Sequence, residues 1–326
     1  NDKNVIDECI QSLLDQDRSE IEVIISDNGS KDGSIEYLQR SFPSIKIIEN
    51  GKNLGFGSAI NKGLVIAKGD YIIFLNSDLK LNPKCIGELV KLLESDSNIG
   101  GAIPKILHID QQNTINSLGV LINFTGIAYP NLLGQKDPDW IEPFESACGG
   151  IFMLRREVYE TVGGFDEDLF LYHEDHDLSW RIRLAGWYLK VNPKATMYHH
   201  YKLNKGVRKY YSSEKNRLYL LVKNMEVKTL VLIFPALLIV EISQLFHAAI
   251  NNWFFLKAKS YIELLALLPR ILVKRKKQKH LRRVPDKEIT RIYQGTLAVS
   301  GIKNPLLTHL LSPLLNTYWR LIRHLV

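Results

Sequence analysis

The fold of this chain is indicated by the stretch Tyr71-Ile72-Ile73-Phe74-Leu75-Asn76-Ser77-Asp78. Its first five residues are apolar and mostly aromatic or β-branched, a composition typical of a fully buried strand. The strand ends in the polar turn Asn76-Ser77-Asp78, and ligands of open α/β sheets bind just outside the carboxyl ends of strands. Asp78 is therefore expected to face a ligand, where a carboxylate suits Mg²⁺ or Mn²⁺ bridging a diphosphate. The alternative is that Asp78 only caps a strand-to-helix turn.

A second strand end repeats this pattern. The residues Ile21-Glu22-Val23-Ile24-Ile25-Ser26 predict a strand, and Asp27-Asn28-Gly29-Ser30-Lys31-Asp32-Gly33-Ser34 follows it. Asn-Gly and Asp-Gly are strong turn formers. Residues 53–63 resemble a glycine-marked helix entry, but their spacing is not that of a dinucleotide-binding fingerprint. Together these segments predict an α/β nucleotide site without a Walker loop.

The third informative stretch is His173-Glu174-Asp175-His176-Asp177-Leu178-Ser179-Trp180-Arg181. It predicts the start of an amphipathic helix, in which Asp177 and Arg181 are one turn apart and can pair. That pairing leaves Glu174 and Asp175 at the helix N-terminus, where unpaired backbone N–H groups favour negative charge. A carboxylate held ionised there could accept a proton from a substrate hydroxyl. The alternative is a capped surface helix with acidic residues in its first turn.

Together these motifs resemble a family 2 glycosyltransferase of the GT-A fold, in its rhamnosyltransferase-like branch. The resemblance covers about residues 5–202. Any single motif is weak, but six in this order are highly specific. In chain order they are residues 23–34, Asn53-x-Gly55-Phe56, Asn76-Ser77-Asp78, Ala147-Cys148-Gly149-Gly150, residues 163–167, and Glu174-Asp175-x-Asp177-Leu178 with residues 181–187.

The resemblance implies a role for each matching residue. Asp175 would be the general base that deprotonates the acceptor hydroxyl, with Glu174 beside it. Asp78 would hold a divalent cation, Mg²⁺ or Mn²⁺, and His199 would reach the cation or the diphosphate, although a single histidine at a strand end is as readily a surface residue. The residues expected to bind the nucleotide sugar are Asp27 and Ser30 at the nucleobase, Asn76 at the ribose, and Asn53, Phe56, Gly149 and Gly150, the two glycines giving the backbone close approach.

The resemblance also implies the chemistry: a single in-line displacement at the anomeric carbon, with inversion, from a dTDP- or UDP-linked sugar. A carboxylate with an ordinary pKa of about 4 is already ionised at pH 7, so the base requires no large shift. Two departures from the family stand out. A first strand that ends in an aromatic-Asn pair is missing, and Tyr201-Lys202-Leu203-Asn204 replaces the small residues expected after the histidine.

Length and composition suggest how the 326 residues divide. We expect a GT-A catalytic domain over residues 1–225, a single Rossmann-like unit with a mixed, mainly parallel sheet, and a helical membrane-associated region over residues 226–326. The three cysteines are scattered without metal-ligand spacing, which predicts reduced thiols in a cytosolic setting.

The C-terminal region carries the signs of a membrane contact. Residues 229–240 form an apolar run too short to span a bilayer, and polar residues then form one stripe on each of two helical segments. One polar stripe on an apolar helix favours the membrane interface. A spanning helix over about residues 229–250 remains possible if Glu241 pairs inside a bundle.

Seven Lys or Arg residues occupy the ten positions from Lys274 to Arg283. Beside amphipathic helices, this density indicates contact with anionic lipid headgroups at the cytoplasmic face of the membrane. A solvated charged surface is the alternative. Nucleic acid is not expected as a partner, because no aromatic platform or nucleic-acid motif accompanies the run. The leucines of the tail, from Leu306 to Leu315, predict further amphipathic helix.

The sequence thus predicts an inverting, metal-dependent glycosyltransferase that acts on a lipid-linked glycan in cell-surface polysaccharide synthesis. Two alternatives remain open at this point. One is a membrane scaffold that has kept the fold without catalysis, and the other is a sugar nucleotidyltransferase, in whose chemistry Glu174-Asp175 has no obvious use.

Overall fold

The computed structural model describes residues 3, 5–18, 20–200, 207–297 and 307–326. The Tyr201 to Asn204 segment and Leu306 lie outside these residues. The strands are β1 (Ile24–Asp27), β2 (Lys46–Glu49), β3 (Tyr71–Ile73), β4 (Leu79–Leu81), β5 (Ile99–His108), β6 (Ile115–Ser117), β7 (Val120–Ile122), β8 (Ala128–Pro130), β9 (Phe144–Glu145), β10 (Met153–Arg155) and β11 (Tyr188–His199). The helices are α1 (Ile6–Leu14), α2 (Ser34–Ser41), α3 (Phe56–Ile66), α4 (Cys85–Ser95), α5 (Arg156–Val162), α6 (Glu174–Leu184), α7 (Val207–Asn224), α8 (Val227–Ile250), α9 (Phe254–Leu281), α10 (Asp286–Thr290) and α11 (Ser312–Ile322), the last preceded by a short π-helix, Leu307–Leu311.

The main sheet is mixed, as predicted. Its order is β3-β10-β5-β11-β4, with β6 paired to β5 and β9 to β11, while β1 and β2 form a separate parallel pair. Among the described strand pairs only β1–β2 and β5–β11 are parallel, so the expectation of a mainly parallel sheet is wrong. The difference arises because β4, β6, β9 and β10 each pair antiparallel with their neighbours in the main sheet.

A cleft of about 920 Å³ separates β1 from β3. Among the described strands, β1 pairs only with β2, and β3 pairs only with β10. The walls of the cleft are largely apolar side chains along the whole length of these strands, residues 20–28 and 69–78. The segments before the two strands meet where Lys68 donates to Glu22, so the carboxyl ends lie together at the other end of the cleft, which we call its mouth. The two polar turns that follow β1 and β3 are therefore brought to one opening.

The C-terminal helices share a core with the rest of the protein. Phe124 stacks on Trp319 with ring centroids 4.8 Å apart, and Trp180 of α6 belongs to the same apolar cluster as Ile233 and Leu315. Residues 226–326 thus pack directly behind the helix that carries Glu174 and Asp175. The domain division at residue 225 stays a prediction.

The apolar run at residues 229–240 belongs to a longer helix than the sequence suggested. α8 continues for 24 residues through Pro235, and among the described helices it is the one long and apolar enough to cross a membrane, by length and composition only. Only 22% of its apolar window is buried inside the molecule. Glu241 pairs inside a helix bundle, with Arg217 and at 2.9 Å with Lys257, and it accepts a hydrogen bond of 2.6 Å from Tyr261.

Several residues of the basic run form ion pairs or hydrogen bonds within the protein. Lys274 pairs with Asp166 and, at 2.7 Å, with Asp168, and Arg282 pairs with Asp286 at 2.7 Å. Arg275 donates a hydrogen bond to the carbonyl of Val222. The run is therefore not one uniform charged surface, and Lys276, Lys277 and Lys279 are its exposed lysines.

Candidate active site

The cleft collects most of the residues predicted to bind a nucleotide. Its lining includes Asp27 at the end of β1, Ser30 from the turn that follows, Phe56 from the start of α3, and Asn76 and Asp78 from the turn after β3. These turns meet because β1 and β3 both end at the cleft mouth. The edge-on packing of Phe56 against Phe165, at 5.8 Å between ring centroids, fixes one wall.

The turn after β1 is held by its own side chains. The Asp27 carboxylate accepts hydrogen bonds from the backbone N–H groups of Gly29 (2.8 Å) and Ser30 (3.0 Å). Asn28 donates to the carbonyl of Gly55 at 3.1 Å, which ties this turn to the next one. Asn53 accepts from the N–H of Gly55 at 2.9 Å and so closes its own turn.

Only glycine fits at position 55. Its φ is +87°, and a Cβ at this position would collide with the carbonyl oxygen of Phe170. The close approach brings the loop before α6 against the loop before α3. Packing between these two loops therefore explains Gly55, which does not belong to a dinucleotide-binding fingerprint.

Asp78 and His199 lie side by side because of strand pairing. In the antiparallel β4–β11 pair, His199 is opposite Leu79, the residue after Asp78. The Nε2 atom of His199 is 3.3 Å from Oδ2 of Asp78, and the N–H of His200 donates to the carbonyl of Asp78 at 3.0 Å. The His200 side chain points to another partner, Glu8, at 2.9 Å. The structure therefore brings His199, rather than His200, to the carboxylate.

The donor set at Asp78 fits a divalent cation that also binds a diphosphate. Oδ1 of Asp78 is buried and has no hydrogen-bond partner among the described residues. A carboxylate and an imidazole suit Mn²⁺, and Mg²⁺ is commonly held by one or two carboxylates together with substrate phosphates. Within the described residues no cluster of three or more acidic, His or Cys side chains forms a complete metal cage. Asp78 and His199 would therefore supply part of the coordination and a bound diphosphate the rest.

Asp175 is brought to the same edge of the sheet by β10. Because β10 is antiparallel to β3, with Met153 opposite Ile73, the residues just before β10 lie beside the carboxyl end of β3. Oδ2 of Asp175 is 3.8 Å from Sγ of Cys148, and a Cβ on Gly150 would lie 3.7 Å from it. A side chain at position 150 would thus stand directly in front of this carboxylate.

Position 149 requires a glycine for a different reason. A Cβ at this position would lie 2.6 Å from the Ile103 side chain of β5, so core packing requires the glycine. The proposed role of Gly149 in letting a ligand approach stays a prediction.

Burial changes the acid–base properties of the two carboxylates. Glu174 is only 8% exposed, and burial, then the neighbouring Asp175 charge, raise the pKa of Glu174 to about 8. Burial also raises the pKa of Asp175 above its usual range. The pair therefore favours a single negative charge near neutral pH, which differs from the expectation of two freely ionised carboxylates at an open helix end.

The helix α6 is not amphipathic. Its side chains are buried on all sides except for partial exposure at Asp175, because loops and the C-terminal helices cover the face predicted to be polar. The predicted Asp177–Arg181 pair is confirmed at 2.8 Å. Lys223 of α7 adds a second contact of 2.8 Å to Asp177 and one of 2.5 Å to Asp166.

These charges explain how a buried acidic helix is tolerated. Although burial alone would raise it, Lys223 and Arg181 hold the pKa of Asp177 below its usual range. Buried carboxylates need such pairing because an uncompensated buried charge is costly. Asp177 is therefore an anchor for α6 and leaves Asp175, two residues earlier, as the carboxylate available for chemistry.

A pH test follows from the raised pKa of Glu174. The folded-state pKa exceeds the unfolded one, so the stabilising contribution is complete below about pH 4.5. It is lost as the pH rises toward about 8, the folded-state pKa. We expect Glu174→Gln to gain stability relative to wild type between pH 5.5 and pH 8, measured as the difference in Tm between the two proteins. Burial lowers the pKa of His173 to about 4, so its contribution to stability has the opposite pH dependence. Because both proteins contain this histidine, its contribution drops out of the difference in Tm. An equal difference in Tm at both pH values would contradict the assignment.

The sequence analysis missed two polar contacts of the site. Asn116, on β6, lies 3.1 Å from Nδ1 of His199, and Asn28 joins the two loops at the cleft mouth. Asn28 stands inside a quoted motif, so its position was a usable signal. Nothing in the sequence around Asn116 indicated a contact with His199, because only the pairing of the strands brings the two residues together.

This architecture, a mixed sheet with helices and with acidic residues beyond the carboxyl ends of its strands, is that of a GT-A fold glycosyltransferase. The sequence pattern of the family "Glycosyl transferase family 2" matches residues 1–163, half of the chain, and that of "N-terminal domain of galactosyltransferase" matches residues 133–203. The chain belongs to glycosyltransferase family 2.

Similar proteins agree with this family. A Mycobacterium tuberculosis N-acetylglucosaminyl-diphospho-decaprenol L-rhamnosyltransferase is 28% identical over 207 residues, which cover 55% of this chain and 66% of that enzyme. The poly-beta-1,6-N-acetyl-D-glucosamine synthase of Staphylococcus aureus is 24% identical over 60% of this chain and 46% of its own length. The solved structure of GalNAc-T7 with UDP, GalNAc and Mn²⁺ superposes with a TM-score of 0.56 at 18% identity, covering 79% of this chain and 52% of that one, and supports the fold.

Proposed function

We propose that this glycosyltransferase moves a sugar from a nucleoside diphosphate to a hydroxyl of a lipid-linked glycan, with a divalent cation and with inversion. The observation that carries the proposal is the pairing of Asp78 with His199 at the mouth of the cleft, at the sheet edge where Asp175 also lies. Asp78 and His199 are suited to bind a metal-bound diphosphate, and Asp175 is suited to accept a proton.

In this reaction the acceptor oxygen forms a bond to the anomeric carbon while the bond from that carbon to the diphosphate oxygen breaks. Asp175 takes the hydroxyl proton, and the nucleoside diphosphate leaves with the electron pair. A cation held by Asp78 and His199 would offset the charge that develops on the diphosphate. Asp27, Ser30, Phe56 and Asn76 would hold the nucleotide, as the cleft lining supports.

The names of the similar proteins point to classes of donor sugar and acceptor for the proposed reaction. The mycobacterial relative is named for rhamnosyl transfer to a diphospho-polyprenol acceptor, and the staphylococcal one for a hexosamine polymer. We therefore propose rhamnose from a dTDP donor first, followed by UDP-linked hexoses or N-acetylhexosamines. The product would serve cell-surface polysaccharide synthesis. The matching family and the named relatives favour sugar transfer over a scaffold without catalysis and over a nucleotidyltransferase.

The donor can be identified by titration. We expect one of dTDP-, UDP- or GDP-sugars to bind with Mn²⁺ or Mg²⁺ and to bind at least tenfold more weakly with EDTA, measured by calorimetry. Asp78→Ala should remove the metal dependence, because it removes the carboxylate beside His199. Asp96→Ala, at the end of α4, is the matched control. Folded protein that binds none of these donors would overturn the proposal.

The C-terminal helices support a membrane location, which we propose to be the cytoplasmic face. Several polar side chains face inward: Glu241 of α8 contacts Arg217 and Lys257, and Gln244 contacts Lys257 at 2.7 Å. Many apolar side chains face outward, and α8 packs against both α9 and α11. The exposed apolar residues are Val227, Val231, Phe234, Leu238, Ile239, Ile242, Phe246 and Ile250 of α8, Phe254, Phe255, Ile262, Leu265, Leu272 and Val273 of α9, and Leu314 and Leu321 of α11.

Such a surface suits lipid better than water. Apolar patches larger than a few hundred Å² mark interaction sites in proteins, and paired charges remove the cost of placing Glu241 near hydrocarbon. This polarity pattern differs from the expected one, in which the polar stripes would face headgroups. The lipid contact would be made by the apolar faces, and anionic headgroups would be met by Lys276, Lys277 and Lys279.

Removing those three charges gives a test of the membrane contact. We expect Lys276→Gln, Lys277→Gln and Lys279→Gln together to weaken binding to vesicles that contain anionic lipid by about 100-fold, from about 1 kcal/mol per lysine. Vesicle co-sedimentation measures this. The same number of charges removed at the exposed Lys62, Lys91 and Lys136 is the control. Equal loss in both triple variants would show a general charge effect and contradict a specific basic surface.

A further inference from the structure

Asn116 reaches the proposed metal site from a strand on the far side of β5 from β11. It lies on β6, which pairs with β5, while β5 pairs in parallel with β11 and places His108 opposite His199. Asn116 is 7% exposed, and its Oδ1 atom is 3.1 Å from Nδ1 of His199. His199 is thus held between Asn116 at one ring nitrogen and Asp78 at the other.

We propose that Asn116 is a positioning residue that fixes the tautomer of His199 for metal binding, an inference that rests on the proposed function. An amide oxygen only accepts hydrogen bonds, so with Oδ1 of Asn116 facing the ring, as in this structure, Nδ1 of His199 would carry the proton. In the neutral ring the lone pair then lies on Nε2, which faces Asp78. Histidines that bind metals commonly donate the other ring N–H to such an acceptor, which orients the ring and fixes its tautomer.

The spacing around Nε2 agrees with a shared cation. Nε2 and Oδ2 of Asp78 are 3.3 Å apart. Two neighbouring donors of one octahedral ion lie about 3 Å apart when the bonds are about 2.1 Å long. Without a cation or a proton between them, a ring lone pair and a carboxylate at this distance repel each other. The buried Oδ1 of Asp78, which has no partner among the described residues, is a further oxygen available at the same place.

The opposite orientation of the Asn116 amide gives a different result. Its NH₂ group would donate to Nδ1, the proton would then lie on Nε2, and His199 would donate to Asp78 without a metal. This arrangement leaves Nε2 unable to bind a cation. The two orientations therefore predict different histidine tautomers in the protein without metal, and nitrogen-15 NMR shifts of the imidazole distinguish them.

The test combines this NMR measurement with Mn²⁺ binding. In metal-free wild type we expect the His199 resonances to show the proton on Nδ1. We expect Asn116→Leu to weaken the affinity for Mn²⁺ in the presence of UDP or dTDP about 10- to 100-fold, measured by paramagnetic resonance of free Mn²⁺. Asn116→Asp, which only accepts hydrogen bonds, should bind Mn²⁺ at least as tightly as wild type.

The control is Asn131→Leu, which removes another asparagine side-chain hydrogen bond, to the carbonyl of Leu118. It should leave Mn²⁺ affinity within about twofold of wild type. A proton on Nε2 in the metal-free protein, or wild-type Mn²⁺ affinity in Asn116→Leu, would overturn the inference. Failure of the proposed function would appear separately, as wild-type protein that binds no nucleotide sugar while the His199 tautomer is still measurable.

Discussion

Asp175→Asn is expected to reduce sugar transfer by about 10²- to 10⁴-fold, the typical contribution of a positioned general base. Asparagine keeps the size of the side chain and its place beside Cys148 and Gly150, but it cannot take the proton of the acceptor hydroxyl. Donor affinity should stay within a few-fold of wild type, because the cleft residues that hold the nucleotide are unchanged. Release of nucleoside diphosphate in the presence of acceptor measures transfer, and calorimetry measures donor binding.

The matched control for this change is Asp96→Asn, which alters a partly exposed carboxylate at the end of α4. Its transfer rate should equal that of wild type. Loss of donor binding together with transfer in Asp175→Asn would instead indicate that the carboxylate supports the structure. That outcome would remove Asp175 from the proposed chemistry.

The largest expected effect on stability comes from Lys223→Met. Lys223 is 3% exposed and contacts two buried carboxylates, Asp166 at 2.5 Å and Asp177 at 2.8 Å. Removing one partner of a buried ion pair commonly costs about 3–5 kcal/mol. In Lys223→Met two buried carboxylates would lose a shared cation and keep only Lys274 at Asp166 and Arg181 at Asp177. We expect a loss of that size in the free energy of unfolding, measured by urea denaturation in detergent.

The control uses the same substitution at the surface. Lys46 pairs with Glu22 at 2.5 Å, but the lysine side chain is 48% exposed, and exposed pairs contribute about 0–1 kcal/mol. Lys46→Met should therefore change stability by less than about 1 kcal/mol. Similar losses in the two variants would show that the Asp166–Lys223–Asp177 group is not a special anchor of α6.

The local parts of the fold were predictable because they depend on neighbours in sequence. The strand that begins at Tyr71, the turn at Asp27 and the Asp177–Arg181 pair all follow from residues within a few positions of each other. The structure contains all three, although the strand ends at Ile73, two residues earlier than predicted. The parallel or antiparallel sense of the strands was not predictable in this way. It depends on which strands become neighbours, and β10 and β4 enter the main sheet antiparallel.

The acid–base state of the site also depended on the tertiary structure. The sequence placed Glu174 and Asp175 at a helix N-terminus, which favours negative charge when it is exposed. In the folded protein the helix is covered, and burial raises the pKa of Glu174 to about 8. Likewise, the polar stripe of α8 was visible in the sequence, but only the packing of α7 and α9 shows that Glu241 faces the protein.

The sequence by itself determined the family, the identity of the acidic residues and the apolar C-terminal helices, because motifs and hydrophobic periodicity are local properties of the chain. The tertiary structure decided which of those residues meet. Strand pairing over more than a hundred residues brings His199 to Asp78, and pairing through β5 brings Asn116 to His199. Contacts of this kind have no signature at short sequence separation, since they follow from the order of strands in the sheet.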